Sequence, residues 1–273
     1  MNDTTTKQST PYQNNPFLIA IDGVKLLFKR AQNTGIFLAI LSLILFFLSA
    51  TPNEDVADYG DSQADMSMGG GFSVTAENWP IIAIAVGAVL LFVIGIILIS
   101  VYIQAIANYT SAQLAKGKEV GLSEAASQVG QKFVGYLWVQ IIVTVKVILW
   151  SLLLIIPGIY KANRYSLAGV VYFAENLSGN KAVRRSEQLV NGAWITTFAG
   201  MNFLNVVTLG VASLVLSTGS SSILYRQYNA LADQPKPPAS PVSWLIFVVP
   251  AILMLLILLL GVIFFSANWH HIS

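Results

Sequence analysis

The stretch Trp79–Ala107, WPIIAIAVGAVLLFVIGIILISVYIQAIA, decides the fold class. No Asp, Glu, Lys or Arg interrupts the chain between Glu77 and Lys116. A helix crosses a hydrocarbon core of ~30 Å with about 20 apolar residues. Its backbone N–H and C=O groups find no water there and pair within the segment, so the run reads as a membrane helix. Working outward, three more runs have the same character: Gly35–Ala50, Phe133–Ile159 and Trp244–Phe265. A fifth, Ala193–Ser217, is interrupted by Asn202, Asn205 and Gly210, and a sixth, Tyr165–Ala174, is a short run beyond Pro157-Gly158.

Whole-chain composition agrees. Of 273 residues, 55% are hydrophobic and 10% charged, and the mean hydropathy is +0.66. A water-facing domain carries roughly 25% charged residues to wet its surface. The expected fold is therefore an all-α, polytopic integral membrane helical bundle of about six or seven membrane segments, with interfacial amphipathic helices. Residues 1–15 read as a disordered polar N-terminus and 16–232 as the bundle, with an acidic outer loop over 51–78. Residues 233–242 form a Pro-rich linker and 243–266 a C-terminal membrane helix, with Pro250 inside it as a kink site. The 35–50 segment follows Lys25, Lys29 and Arg30 in the manner of a signal peptide. The long polar leader and Leu48 before the cleavage position favour an uncleaved anchor.

Lys and Arg set the expected orientation. Lys7, Lys25, Lys29 and Arg30 precede the first span and Lys116, Lys118 and Lys132 follow the second. The loop between has neither Lys nor Arg, and holds Glu54, Asp55, Asp58, Asp61, Asp65 and Glu77. The N-terminus is thus expected in the cytoplasm and the acidic loop outside. Beyond Phe133–Ile159 the count is ambiguous. A helix from Tyr160 to Asn176, about 26 Å long, is just able to return the chain. The run from Ala193 to Tyr228 is either one crossing ending at Ser217 or a hairpin turning near Thr208-Leu209-Gly210. The hairpin leaves only Lys161 and Arg164 outside; the single crossing adds Arg226 and Lys236 to them. Ser123–Trp138 and Asn180–Ile195 form a loose internal echo, two elbow segments expected on one side of the membrane.

Absences exclude most chemistry. The chain has no Cys, and its two histidines, His270 and His271, stand at the C-terminus. Thiolate chemistry, a His-built metal cage and a Ser-His-Asp site have no components in the body of the chain. No enzyme activity, cofactor or metal is expected. A net charge of +2 gives no basis for nucleic-acid binding. The outer aspartates lack calcium-loop spacing and read as a solvated acidic loop.

The ordered series Ile156-Pro157-Gly158-Ile159-Tyr160, Arg164-Tyr165-Ser166-Leu167-Ala168, Glu175, Ser178-Gly179, Ala182, Arg185-Ser186, Leu189, Gly192 and Trp194 resembles the membrane domain of bacterial glycerophosphoryl diester phosphodiesterases. It is also similar to related polytopic bacterial proteins that carry no phosphodiesterase. The likeness covers roughly Asn15 to Ala230, with Ile156–Trp194 its specific part and Tyr225-Arg226 a typical ending. The compressed Ala193–Tyr228 region and the helix after the Pro linker depart from it. The resemblance implies a non-catalytic membrane module of the bacterial plasma membrane.

Seven residues are candidates for a functional role. Lys146, midway between Lys132 and Tyr160, is an ionisable group inside a span, which marks either a functional site or a buried structural pair. Glu175 and the ring of Trp150 are its expected partners. Pro157 and Gly158 either line a broken-helix site or make a simple turn. Arg164 either meets a lipid phosphate or snorkels. Arg184 and Arg185, with Lys181 and Glu187, give the Asn180–Asn191 segment a charged face suited to anionic headgroups, with Val183, Leu189 and Val190 turned to the membrane. Phe17–Arg30 has similar character, with Ile21, Val24 and Phe28 as its apolar stripe. The bilayer, anionic headgroups and a membrane-protein partner are the expected partners. Two functions follow: a scaffold, anchor or assembly module, or a small transporter or lipid-handling protein using Lys146 and the broken helix.

Overall fold

The computed structural model describes residues 12–50 and 79–269. The acidic loop 51–78, residues 1–11 and His270 and His271 lie outside the described residues, and with them the readings of the outer aspartates and the polar leader. Among the described residues every regular element is helical: α1 Pro16–Arg30, α2 Gln32–Ala50, α3 Trp79–Ala115, α4 Leu122–Leu153, α5 Ile155–Tyr165, α6 Ala168–Glu175, α7 Asn180–Val190, α8 Trp194–Val207, α9 Ser213–Ala230 and α10 Leu245–Trp269. A 3-10 turn, Pro241–Trp244, leads into α10. Four helical stretches are long and apolar enough to cross a membrane: Gln32–Ser49, Ile82–Ala115, Leu122–Leu153 and Pro241–Val262.

Local signals set the boundaries. Asn15 caps α1 by accepting from the Phe17 N–H, Pro16 occupies the first helical position, and Lys29 and Arg30 sit where the helix dipole favours cations. Asn176 closes α6 in the left-handed conformation at φ 54°, and Gly179, at φ 55°, starts α7 in a new direction. The amphipathic α1 does not lie apart at an interface. It buries Pro16, Ile19, Ala20, Gly23 and Leu27, while Ile21 and Phe28 of the expected stripe stay exposed. Small residues on the buried face are the reason. At Gly23 and Gly219 the backbones of α1 and α9 touch, and a Cβ on Gly219 would stand 2.5 Å from the Gly23 carbonyl carbon. Such close crossings are how membrane helices gain contact where lipid removes the hydrophobic drive.

The sequence-predicted break at Pro157-Gly158 lies earlier, at Leu154, which is extended (φ −161°, ψ 142°). A proline ring clashes with the carbonyl four residues before it, so a continuous helix through Pro157 is barred at Leu153, where α4 stops. Pro157 itself sits in the first turn of α5, where its missing N–H costs nothing. Gly158 allows α5 to fold back onto α4: a Cβ there would lie 2.9 Å from the Ser151 Cα. The single helix expected over Tyr160–Asn176 is two, α5 and α6, parted at Ser166-Leu167, where the Ser166 hydroxyl donates to the Asn163 carbonyl. The expected turn near Thr208-Leu209-Gly210 is present between α8 and α9, with Leu209 at φ 51° and Gly210 at φ 82°. The Pro-rich linker lies against the bundle: Asn14 donates to the Pro238 carbonyl, Lys236 to that of Asn191, and Ser243 to that of Asn14.

Candidate functional site

The ionisable candidates converge on α7, where it lies across the α4–α5 hairpin. The α7 sequence NKAVRRSEQLV is strongly two-faced. Ala182, Val183, Ser186, Leu189 and Val190 are buried, whereas Lys181, Arg184 and Gln188 are exposed. Val183, Leu189 and Val190, expected to turn to the membrane, are instead buried in protein core, because α7 packs its apolar face onto the neighbouring helices.

Lys146 does not meet Glu175, and its ring partner is not Trp150. Its Nζ donates to the Asn180 Oδ1 at 2.5 Å and stands 5.7 Å from the centre of the Tyr165 ring. A lysine side chain leans toward its own helix N-terminus, which carries the ammonium away from the hairpin tip and toward the start of α7. Trp150 serves Lys161 instead, whose Nζ lies 5.1 Å from the indole centre. Lys161 also donates to the Glu187 Oε1 at 2.7 Å, and the Arg164 Nη1 reaches the same oxygen at 3.4 Å. The Arg164 guanidinium further donates to the Glu187 carbonyl. Burial pushes the Glu187 carboxyl toward its neutral form, but the Lys161 hydrogen bond and the charges of Arg164, Lys161 and Lys146 outweigh it. The carboxyl titrates below its ordinary value.

Glu175, the partner predicted for Lys146, is held elsewhere. Its two carboxylate oxygens share the single Arg185 Nε–H, at 3.1 and 3.0 Å, and Oε1 also accepts from the Tyr225 hydroxyl at 3.0 Å. Arg185 also donates to Asn229. Asn163 and Ser186 tie the same seam. Asn163 Nδ2 donates to the Trp194 carbonyl, and the Ser186 hydroxyl to that of Arg164. The structure thus brings together Lys146, Arg164 and Glu187 in one cluster and Glu175 and Arg185 in a second. Arg184 stands apart on the exposed face, and Pro157 and Gly158 belong to the hairpin tip. None of the seven lines a cavity described here.

A polar cavity does exist away from them. It measures about 90 Å³ and is lined by Gln104, Ala107, Asn108, Ser166, Met201, Ser217, Thr218 and Ser221. At ~30 Å³ per water that is room for about three waters. Around it Ser221 donates to the Ser111 hydroxyl, Ser111 to the Thr218 carbonyl, and Asn108 to the Tyr136 hydroxyl. The signal for it in the sequence is the polar interruption of apolar runs, at Gln104 and Asn108 in α3 and at Ser217–Ser222 in α9. The chemistry is neutral hydrogen bonding; no group able to act as nucleophile with a base lines it. Among the described residues no group of three or more His, Cys, Asp or Glu could hold a metal. Comparison with family models, with curated proteins and with solved structures finds no match.

Proposed function

We propose that the chain is a non-enzymatic integral membrane module of the bacterial cell envelope, a scaffold, anchor or assembly partner of other membrane proteins. In this reading it is multi-pass with a cytoplasmic N-terminus, and α2 through α10 supply about seven membrane segments. The observation that carries it is the use of the charges. Lys146, Lys161, Arg164 and Glu187, and separately Glu175 and Arg185, bind α7 to the hairpin and to α9 rather than facing a substrate path. The likeness of Ile156–Trp194 to the phosphodiesterase membrane domain supports the same reading, because that domain is an accessory to catalysis and lacks its own. The exposed basic side chains Lys181 and Arg184 suit anionic headgroups.

Gentle detergent extraction of the tagged chain, with size measurement and identification of what travels with it, tests the proposal. Stoichiometric co-purification of another membrane protein is the expected result; a lone monomer overturns it. One observation favours a second reading, transport or lipid handling: the polar cavity between α3, α8 and α9. Uptake of a small neutral solute into vesicles carrying the protein, abolished by Ser221→Leu, would establish that reading in its place.

A further inference from the structure

We infer that the α4–α5 and α8–α9 hairpins enter one leaflet of the bilayer, on the side of α7, and turn back inside it without emerging. This rests on the membrane reading above and specifies the surface that meets lipid. Both tips expose large apolar side chains. Leu152, Leu153, Leu154, Ile155, Ile156 and Ile159 are exposed at the first, and Val206, Val207 and Leu209 at the second. A turn that surfaces in water carries polar residues; these carry hydrocarbon.

Most of the backbone N–H groups of the second turn bond within the turn, as a turn in lipid requires. The N–H groups of Thr208, Leu209, Gly210, Val211 and Ser213 donate to the carbonyls of Leu204, Val206, Asn205, Thr208 and Gly210. The side chains of Asn205 and Thr208 likewise bond back to carbonyls one turn earlier. At the first tip the Leu154 N–H donates to Trp150, the Gly158 N–H to Leu154, and Pro157 has no N–H to satisfy.

The charges fix the depth. Lys132 donates to Asn176 and Lys146 to Asn180, and those asparagines bracket a single short connection leading into the exposed Lys181 and Arg184. Along α4 the two lysines are about 21 Å apart. Were α4 upright, one of them would be most of a bilayer deeper than the other; sharing one polar junction requires it to lie obliquely. From Val134 to Ile148 its exposed apolar residues Val134, Trp138, Ile141, Val145 and Ile148 fall on one helical stripe, and from Leu149 to Leu153 the helix is exposed all round. From Lys146 to Leu154 only about 12 Å of helix remains, less than half of a ~30 Å core. This topology places all fifteen Lys and Arg on one side, with none in the 51–78 loop or beyond Lys236. No topology in which the α4–α5 hairpin crosses achieves that, because Lys161 and Arg164 would then lie on the far side.

The chain lacks cysteine, so single-cysteine labelling needs no background removal. Leu154→Cys and Leu209→Cys report the tips, Lys181→Cys the α7 face, and Asp61→Cys the loop expected outside. A membrane-impermeant maleimide is applied to intact cells, to inverted vesicles and to protein in detergent. The expected result is label on Asp61→Cys from outside only and on Lys181→Cys from inside only. The tips should take at least about tenfold less than either from both sides, yet label fully in detergent. Tip labelling from outside means that the hairpins cross, and tip labelling from inside that they lie in water; either overturns the proposal. Disulfide-linked dimers through a tip cysteine would show a second copy covering it, and overturn it too. Release of the unaltered chain by alkaline wash would instead defeat the membrane reading itself.

Discussion

Helices α9 and α10 invert the usual relation between polarity and burial. SLVLSTGSSSILYRQYNA, with three consecutive serines, forms α9 and is buried along most of its length. LIFVVPAILMLLILLLGVIFFSANW, the most apolar helix, forms α10 and exposes Val248, Val249, Met254, Leu256, Leu258 and Leu260. In water this would be a misfold. In lipid there is no gain in hiding leucine, and small hydroxyl residues gain close backbone contact and hydrogen bonds when they meet. The α9 side chains show both: Gly219 against Gly23, and Ser221, Ser111 and Thr218 in a bonded chain.

The largest test of that contrast pairs two glycines. Gly219→Leu drives a side chain into the Gly23 backbone and should cost about 3 kcal/mol or more, read as loss of monodisperse protein or a lowered aggregation midpoint in detergent. Gly261→Leu in α10, where nothing lies within 4 Å, should leave the midpoint unchanged. Equal effects would break the comparison.

Next in size is the seam that closes over the bundle. Glu187→Gln strands Lys161 and Arg164, each less than a fifth exposed, and should cost about 2 kcal/mol after allowance for the partial exposure of the pair. Because the folded Glu187 carboxyl titrates below its ordinary 4.5, its contribution is present above that pH. It is lost as pH falls through the lower, folded value. Detergent-solubilised wild type should therefore lose midpoint on acidification below pH 4.5, and Glu187→Gln should lose less.

Smaller still is Ser221→Ala, which removes bonds to the Ser111 hydroxyl and the Thr218 carbonyl and should cost about 1 kcal/mol by the same midpoint. Leu256→Ala in α10 marks the bottom of the scale, below ~0.5 kcal/mol, since its side chain is exposed rather than packed against protein. Lys146→Leu belongs beside it. Its hydrogen bond is to a neutral, exposed asparagine, and leucine extends the Ile148–Leu153 surface; a fall in midpoint above ~1 kcal/mol would show the lysine to be a structural keystone.

What was legible in the sequence was whatever composition alone determines. The run from Trp79 onward announces a membrane helix because no charge interrupts it, and α7 announces its two faces by the spacing of Lys181, Arg184 and Gln188 against Val183 and Leu189. The turn at Gly210 was legible because Asn202, Asn205 and Gly210 itself interrupt the apolar run. Partner choice was not. Lys146 had two plausible partners by sequence, and met neither, because the direction of its side chain and the position of Asn180 depend on where α4 stops. That stop was misplaced by three residues: proline acts on the carbonyl four positions before it, so its signature precedes it in the chain. The cavity was least visible, since its lining comes from α3, α8, α9 and the α5–α6 turn, segments that read singly as imperfect spans.

The Gly23–Gly219 contact also sets an order of events during synthesis. Helix α1 emerges first, yet the surface that receives it belongs to α9, and Gln13 likewise waits for Gln227. Until residues 213–230 leave the ribosome, the first helix has α2 and α8 beside it but lacks the close backbone partner of Gly23, so this face of the bundle closes late. The Pro-rich segment then locks over the joint through Asn14 and Ser243. A truncation ahead of α9 would thus leave α1 without the surface that receives Gly23.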